Sequence, residues 1–303
     1  MKLLMTLLLA VASVPAWSQN DGDSSVSCIT YWKKGETKVY SILHEKTTGN
    51  QNNKHLSFAY EAHVTVLDST AEDYTVKWVF HNPVLPGRDL SALSQPLPVF
   101  EGMQMIFRIT SVGTFIELIN WEEVRDSYIH LTEMGLPGKM DSTMRAIVDT
   151  TKAVFSTKEN VEGMLIQEIQ LFHLAYGAQF TTRQVSEKTQ LSNPFGGDPL
   201  PAVQTYQVTK LDRWQDSYSL VIRQMLDSNN LERYMDTMFK KMGVKDGKEL
   251  QTAKAQLSTL VINDFTEYQF ISSSGWIRRL HYLRTAGSAA LKQSDAYTIT
   301  LKD

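Results

Sequence analysis

The residues through which this chain could do chemistry are its seven histidines, its one cysteine, a run of cationic side chains near the C-terminus, and methionines and aromatics at regular spacing. Histidine is the commonest metal ligand, and ligands must converge on one ion to hold it. His63 and His81 lie in neighbouring segments of alternating polarity. If the apolar faces of these segments pair Tyr60 with Phe80 and Ala62 with Trp78, His81 falls opposite Ala59 and His63 opposite Lys77. That places the two histidines about 13 Å apart, at about 3.3 Å per residue, which is too far to share a metal. No His-Glu-x-x-His or paired-cysteine spacing occurs elsewhere. His173 follows Phe172 within an apolar helical stripe and reads as a core histidine. The expectation is no metal and no cofactor.

Nucleophile signatures are equally sparse. The sequence has no Gly-x-Ser-x-Gly elbow, no penicillin-binding Ser-x-x-Lys context and no glycine loop of the phosphate-cradling kind. The turn-rich stretch Asn193 to Pro199 lacks the lysine and following helix that a phosphate loop needs. Cys28 has no basic or histidine neighbour in sequence and reads as a small buried residue beside the first strand. Glu122 and Glu123 are accounted for by a helix start, where acidic groups favour the dipole. No catalytic residue is assigned, and the chain is expected not to be an enzyme. A hydrolase with an unrecognised acid pair across a cleft is the alternative from that class.

Two groups stand above this background. Arg278, Arg279, His281 and Arg284 gather positive charge on one expected strand, with Arg278 and Arg284 on the face of Leu280 and Tyr282, and Arg279 and His281 on the face of Ile277 and Leu283. They read as charges paired with acids on adjacent strands. The second group is Met235, Met238 and Phe239 on a helical stripe, set beside the strand aromatics Tyr60, Trp78, Phe80 and Phe107. Methionine adapts its shape to varied apolar partners, so these seven are the candidate ligand-binding residues. Such stripes also build ordinary cores.

The whole chain has 303 residues, 42% hydrophobic and 21% charged, the profile of a folded globular protein. Lys and Arg total 30 against 33 Asp and Glu, so no basic excess exists to neutralise a phosphate backbone, and nucleic acid is excluded as an expected partner. Met1 to Ser18 has the layout of a secretory signal: basic Lys2, an apolar run over Leu3 to Ala12, then Pro15-Ala16-Trp17-Ser18. That run is about half of the roughly 20 apolar residues a membrane span requires. The chain is therefore expected to be exported, periplasmic or extracellular, with no transmembrane segment in the mature form. With one cysteine no internal disulfide can form, so the core must hold without covalent staples.

Residues 19–27 are polar and read as a flexible leader, and residues 28–303 as a single domain. Strict alternation predicts strands over Leu56 to Val66 and Tyr74 to Phe80, with others near Lys38 to His44, Met103 to Thr110 and Thr114 to Ile119. Pro83 to Pro98 reads as a long loop. Asn120 with Glu123 predicts a capping box and a helix to Gly135. A second helix is expected over Met144 to Phe155, and a third from Ser156 with one stripe through Tyr176. Strands return near Phe180 to Gln190, Ala202 to Leu211 and Ser217 to Met225. Helices follow at Asn230 to Met242 and Lys248 to Leu260, then strands at Asp264 to Ser272, Gly275 to Thr285 and Ala296 to Leu301.

Strands with one apolar and one polar face, interrupted by two helical inserts, predict an α+β fold. Its expected form is a curved antiparallel sheet, a half-barrel, with the helical inserts packed on the concave face. This layout resembles the half-barrel with a helical lid of the outer-membrane lipoprotein carriers. The stretch Trp32 to Tyr40, together with Leu118-Ile119-Asn120-Trp121-Glu122-Glu123-Val124, is similar to uncharacterised secreted proteins of bacterial envelopes. The resemblance to the carriers is one of architecture, and no site residues transfer from it. It implies a cavity between sheet and helices for an acyl chain or other apolar ligand. The leading expectation is an exported, non-enzymatic binding or carrier protein of the cell envelope. An interaction module of an envelope protein complex, using an edge strand or the proline-rich loop, is the second.

Overall fold

The computed structural model describes residues 24–49, 54–84, 100–134, 141–191, 199–227, 261–287 and 292–302. The chain runs through β1 (Ser25–Ser27), β2 (Thr37–Thr48), β3 (Lys54–Ser69), β4 (Asp73–Val84), β5 (Gln104–Thr110) and β6 (Phe115–Leu118). Four helices follow: α1 (Trp121–Met134), α2 (Ser142–Val154), α3 (Lys158–Leu165) and α4 (Gln167–His173). Then come β7 (Gln179–Thr181), β8 (Val185–Leu191), β9 (Leu200–Asp212), β10 (Ser217–Leu226), β11 (Val261–Ile271), β12 (Ile277–Gly287) and β13 (Lys292–Leu301). Eleven strands form one antiparallel sheet in the order β6-β5-β4-β3-β2-β13-β12-β11-β10-β9-β8. The sheet is open, with β6 and β8 at its edges, and is the expected half-barrel. Pairing of β2 with β13 joins the two ends of the domain at its centre.

Period-two patterning puts one face of this sheet in the core. Tyr74, Val76, Trp78 and Phe80 of β4 are buried in strict alternation, as are Tyr60, Ala62, Val64 and Val66 of β3. The helical insert after β6 supplies the cover. Phe172 of α4 meets Tyr40 and Trp78 edge-on, with ring centres 5.3 and 5.7 Å away, and the Tyr268 hydroxyl donates to the Leu171 carbonyl at 2.8 Å. Burying a side chain of this size contributes about 1.5–3 kcal/mol, so α4 is the keystone of this half. At one end of the sheet Trp32 stacks on Trp276 at 3.9 Å, and the backbone there is tight. Gly275 has φ +71°, and a Cβ on it would lie 2.0 Å from the Ile29 carbonyl oxygen.

Several expectations are corrected. The expected third helix breaks at Ile166, whose φ of −126° is non-helical, into α3 and α4. One straight stripe could not bury Leu165 and Ile166 along with Ile169, Leu171, Phe172 and His173, and the break reorients α4 as a helix buried nearly all round. The cap of α3 is Thr157 rather than Ser156. Asn120 does not cap the amides of α1 with its side-chain oxygen, which instead accepts from the Ile106 amide at 2.8 Å and ties the helix start to β5. The single strand expected over Phe180 to Gln190 is two, β7 and β8. β7 pairs with Ser25–Ser27, so the last residues of the polar leader are a strand. At the start of β12, a register shift opposite Gln269 and Phe270 leaves Arg278 out of the ladder. Ile277 is therefore fully buried with Leu280, not on the face of Arg279 and His281.

The signal segment Met1 to Ser18, most of the Pro83 to Pro98 loop, and the second helical block at 230–260 lie outside the described residues. No described helix is long and apolar enough to cross a membrane.

Candidate functional site

Four of the candidate ligand residues come together, and they are packed. Tyr60, Trp78, Phe80 and Phe107 are buried on the covered face of β3, β4 and β5. Tyr60 stacks on Phe80 at 4.2 Å, Trp78 is edge-on to Phe172, and Phe107 lies 5.4 Å from the ring of His173. Side chains of α4 occupy the space above them. Met235, Met238 and Phe239 lie outside the described residues.

Burial shifts the ionisable groups in this packed half towards their neutral forms. His173 is ringed by Trp32, Phe107, Phe172 and Tyr176, with Nδ1 2.8 Å from the Gly113 carbonyl oxygen. Burial pushes its pKa down to about 4. Glu168 accepts from the Tyr60 hydroxyl at 3.0 Å, and burial raises its carboxyl above the ordinary range. Burial also pushes the Cys28 thiol up to about 12, against a smaller opposing effect of the Tyr218 hydroxyl. A thiol so placed is no nucleophile at neutral pH.

Open space lies on the other flank of α4. Between this helix and β8 to β12 sits a cavity of about 210 Å³, and an adjoining hollow of about 180 Å³ shares Leu174 and Ile222 with it. Together they reach the lower end of the about 300–1,000 Å³ range of small-molecule sites. One wall is apolar, from Leu171, Leu174, Leu191 and Ile222, and the other is polar, from Gln224, Asp264, Thr266 and Arg284. From the helix, Gln167 and Gln170 complete the lining.

The polar wall belongs to a belt that crosses seven strands at one level. Cross-strand partners run Lys46, Asp295, Arg284, Asp264, Gln224, Gln204, Glu187 from β2 to β8. Arg284 grips Asp264 with two hydrogen bonds of 2.8 and 3.0 Å, and Lys46 reaches Asp295 at 3.2 Å. The Gln224 amide donates to Gln204, which in turn donates to Glu187 at 3.1 Å. Asp264 is pulled both ways: burial raises its pKa and Arg284 opposes this. The belt separates the aromatic core from a small second cluster of Leu191, Leu200, Ala202 and Ile262. Sequence reading singled out Arg284 and expected an acidic partner on a neighbouring strand, which Asp264 is. The glutamines and the belt were missed, because a polar residue at an inward position looks like a solvent-facing one until the register is known.

On the opposite face the register overturns an expectation. β3 and β4 pair Ala62 with Phe80 and Val64 with Trp78, two residues away from the expected alignment, and Glu61 faces His81. His63 and His81 are diagonal neighbours with ring centres 4.2 Å apart, so the argument that distance keeps them from sharing an ion fails. Among the described residues, no group of three or more His, Cys, Asp or Glu side chains is arranged to hold a metal ion.

No family model matches the sequence, and no curated protein matches it. A solved structure described as "Lipid-protein interactions in lipovitellin" is similar over 89% of this chain, with a TM-score of 0.46 and 11% sequence identity. The likeness covers 25% of that chain, so this protein corresponds to about a quarter of its length.

Proposed function

We propose that this protein is an exported, non-enzymatic binding or carrier protein of the cell envelope that takes an amphipathic, lipid-like molecule on the concave face of its sheet. The observation that carries the reading is the pair of adjacent hollows beside α4, apolar along Leu171, Leu174 and Ile222 and polar along Gln224, Thr266 and Arg284. An apolar chain fits the first wall, and a head group finds donors and acceptors on the second. Arg284 is already neutralised by Asp264, so the site favours a head group recognised by hydrogen bonds over one held by net charge. The binding residues in this reading are the cavity lining, not the packed Tyr60, Trp78, Phe80 and Phe107.

The test is native mass spectrometry of gently purified protein, followed by uptake of a fluorescent fatty-acid probe by delipidated protein. Expected are a co-purifying lipid-sized adduct and saturable uptake displaced by unlabelled fatty acid. Absence of both adduct and uptake overturns the reading.

A further inference from the structure

We propose that His63 and His81 form a two-imidazole site for a divalent d-block cation, copper(II) foremost, on the face of the sheet opposite the cavity. It is independent of the ligand-binding reading.

The site follows from the register of the β3–β4 ladder. Glu61 pairs with His81 in step with Ala62–Phe80 and Val64–Trp78, which puts His63 on the diagonal, and the ladder shifts just beyond, between Ala59 and Glu61, where Asn82 has φ +54°. Asparagine tolerates that left-handed backbone better than most residues. The two rings, 4.2 Å apart between centres, are tilted by 52° rather than stacked flat. Imidazoles sharing a metal at about 2.0–2.1 Å per bond have ring centres on the order of 5 Å apart. A small side-chain rotation closes that difference.

Glu101 positions one of the rings. Its Oε1 lies 2.8 Å from Nδ1 of His81, while its Oε2 accepts from the Asn82 amide at 2.7 Å. A carboxylate on Nδ1 assigns the proton there and leaves the Nε2 lone pair free to ligate, the outer-sphere arrangement by which metal-binding histidines are commonly oriented. Charge favours a cation as well. Glu61 and Glu101 face the pair, and the opposing charge is Lys302, whose ammonium is held by Glu61 at 2.7 Å. His81 and Glu101 are partly exposed, so water can complete the coordination. Copper(II) suits imidazole nitrogens with oxygen co-ligands and binds most tightly in the first-row divalent series.

The test titrates copper(II) and zinc(II), each as the metal alone, into the full chain by calorimetry in a non-coordinating buffer, with electron paramagnetic resonance of the copper-loaded protein. One equivalent of copper(II) should bind with two nitrogen donors, zinc(II) more weakly. His63→Ala and His81→Ala should each weaken copper binding at least about tenfold, Glu101→Gln about tenfold, and His55→Ala, in a separate pair with Glu45, not at all. Thermal melts without metal separate lost ligation from lost folding, and the nitrogen count of the wild-type protein decides if a variant does not fold. Wild-type affinity no greater than that of the doubly substituted protein, or a spectrum with a single nitrogen donor, overturns the proposal.

Discussion

The two halves of the sheet turn different faces to the same helix and are buried differently. Over β2 to β5, α4 drives Ile169, Phe172 and His173 into an aromatic surface of Tyr40, Trp78 and Phe107, and burial there shifts His173 and Glu168 towards their neutral forms. Over β8 to β12 the same helix shows Gln167, Gln170 and Leu174, and the sheet answers with a belt of paired polar side chains around open space. An eleven-stranded sheet is wider than one short helix can cover. Where cover is complete, dispersion and apolar burial dominate. At its flank, Asp264 and Gln224 find partners in Arg284 and Gln204 on the next strands, which keeps the desolvation cost of an accessible hollow small.

The contrast is most exposed to truncation on each side. Phe172→Ala should cost about 3–5 kcal/mol, because it opens a void within a closed aromatic cluster, whereas Ile222→Ala, whose side chain already borders a hollow, should cost no more than about 2 kcal/mol. Urea denaturation of both variants checks this, and equal losses would break the distinction.

Titration probes the same difference. His173 has a folded pKa of about 4 against an ordinary value of 6.5, so its contribution is complete above pH 6.5 and is lost as pH falls towards 4. The full loss is about 3 kcal/mol. Glu168 has the opposite sign: its raised folded pKa favours the fold below its ordinary value of 4.5, and that contribution fades as pH rises through the folded value. Urea midpoints from pH 4 to 8 should therefore fall on the acid side in wild type and fall less in His173→Phe, while Glu168→Gln should be more stable than wild type at neutral pH.

Smaller still is the end of the sheet shared by both halves. Gly275→Ala places a methyl against the Ile29 carbonyl at a left-handed backbone position, and should lower stability by about 2 kcal/mol in thermal melts. The least stability change, and the sharpest functional one, belongs to Leu174→Trp. Leu174 is half exposed at the mouth of the cavity, so the variant should stay within about 0.5 kcal/mol of wild type yet lose fatty-acid probe uptake. Unchanged uptake would place the ligand elsewhere.

Much of the architecture was legible in the residues. Alternation at Leu56 to Val66 and Tyr74 to Phe80 marked β3 and β4, and the helical stripe ending at Tyr176 marked the cover. The buried thiol of Cys28 and the core position of His173 followed from their sequence neighbours. The site was less legible. Tyr60, Trp78, Phe80 and Phe107 were correctly placed on one face, but whether that face met a helix or a hollow depended on the break at Ile166, which turns α4 onto them. Gln204, Gln224 and Asp264 carried no signal, since their meaning lies in who stands opposite on the next strand.

The sequence by itself determined the periodicity of each element, hence which side chains could be buried and that an open, one-sided antiparallel sheet with helices on it would result. Local sterics and apolar spacing along the chain suffice for that. Only the tertiary structure decided register, and with it the neighbours of His63 and Asp264. A shift of two residues in a ladder leaves every side chain on its face, so the hydrophobic pattern is indifferent to it, while each cross-strand partner changes.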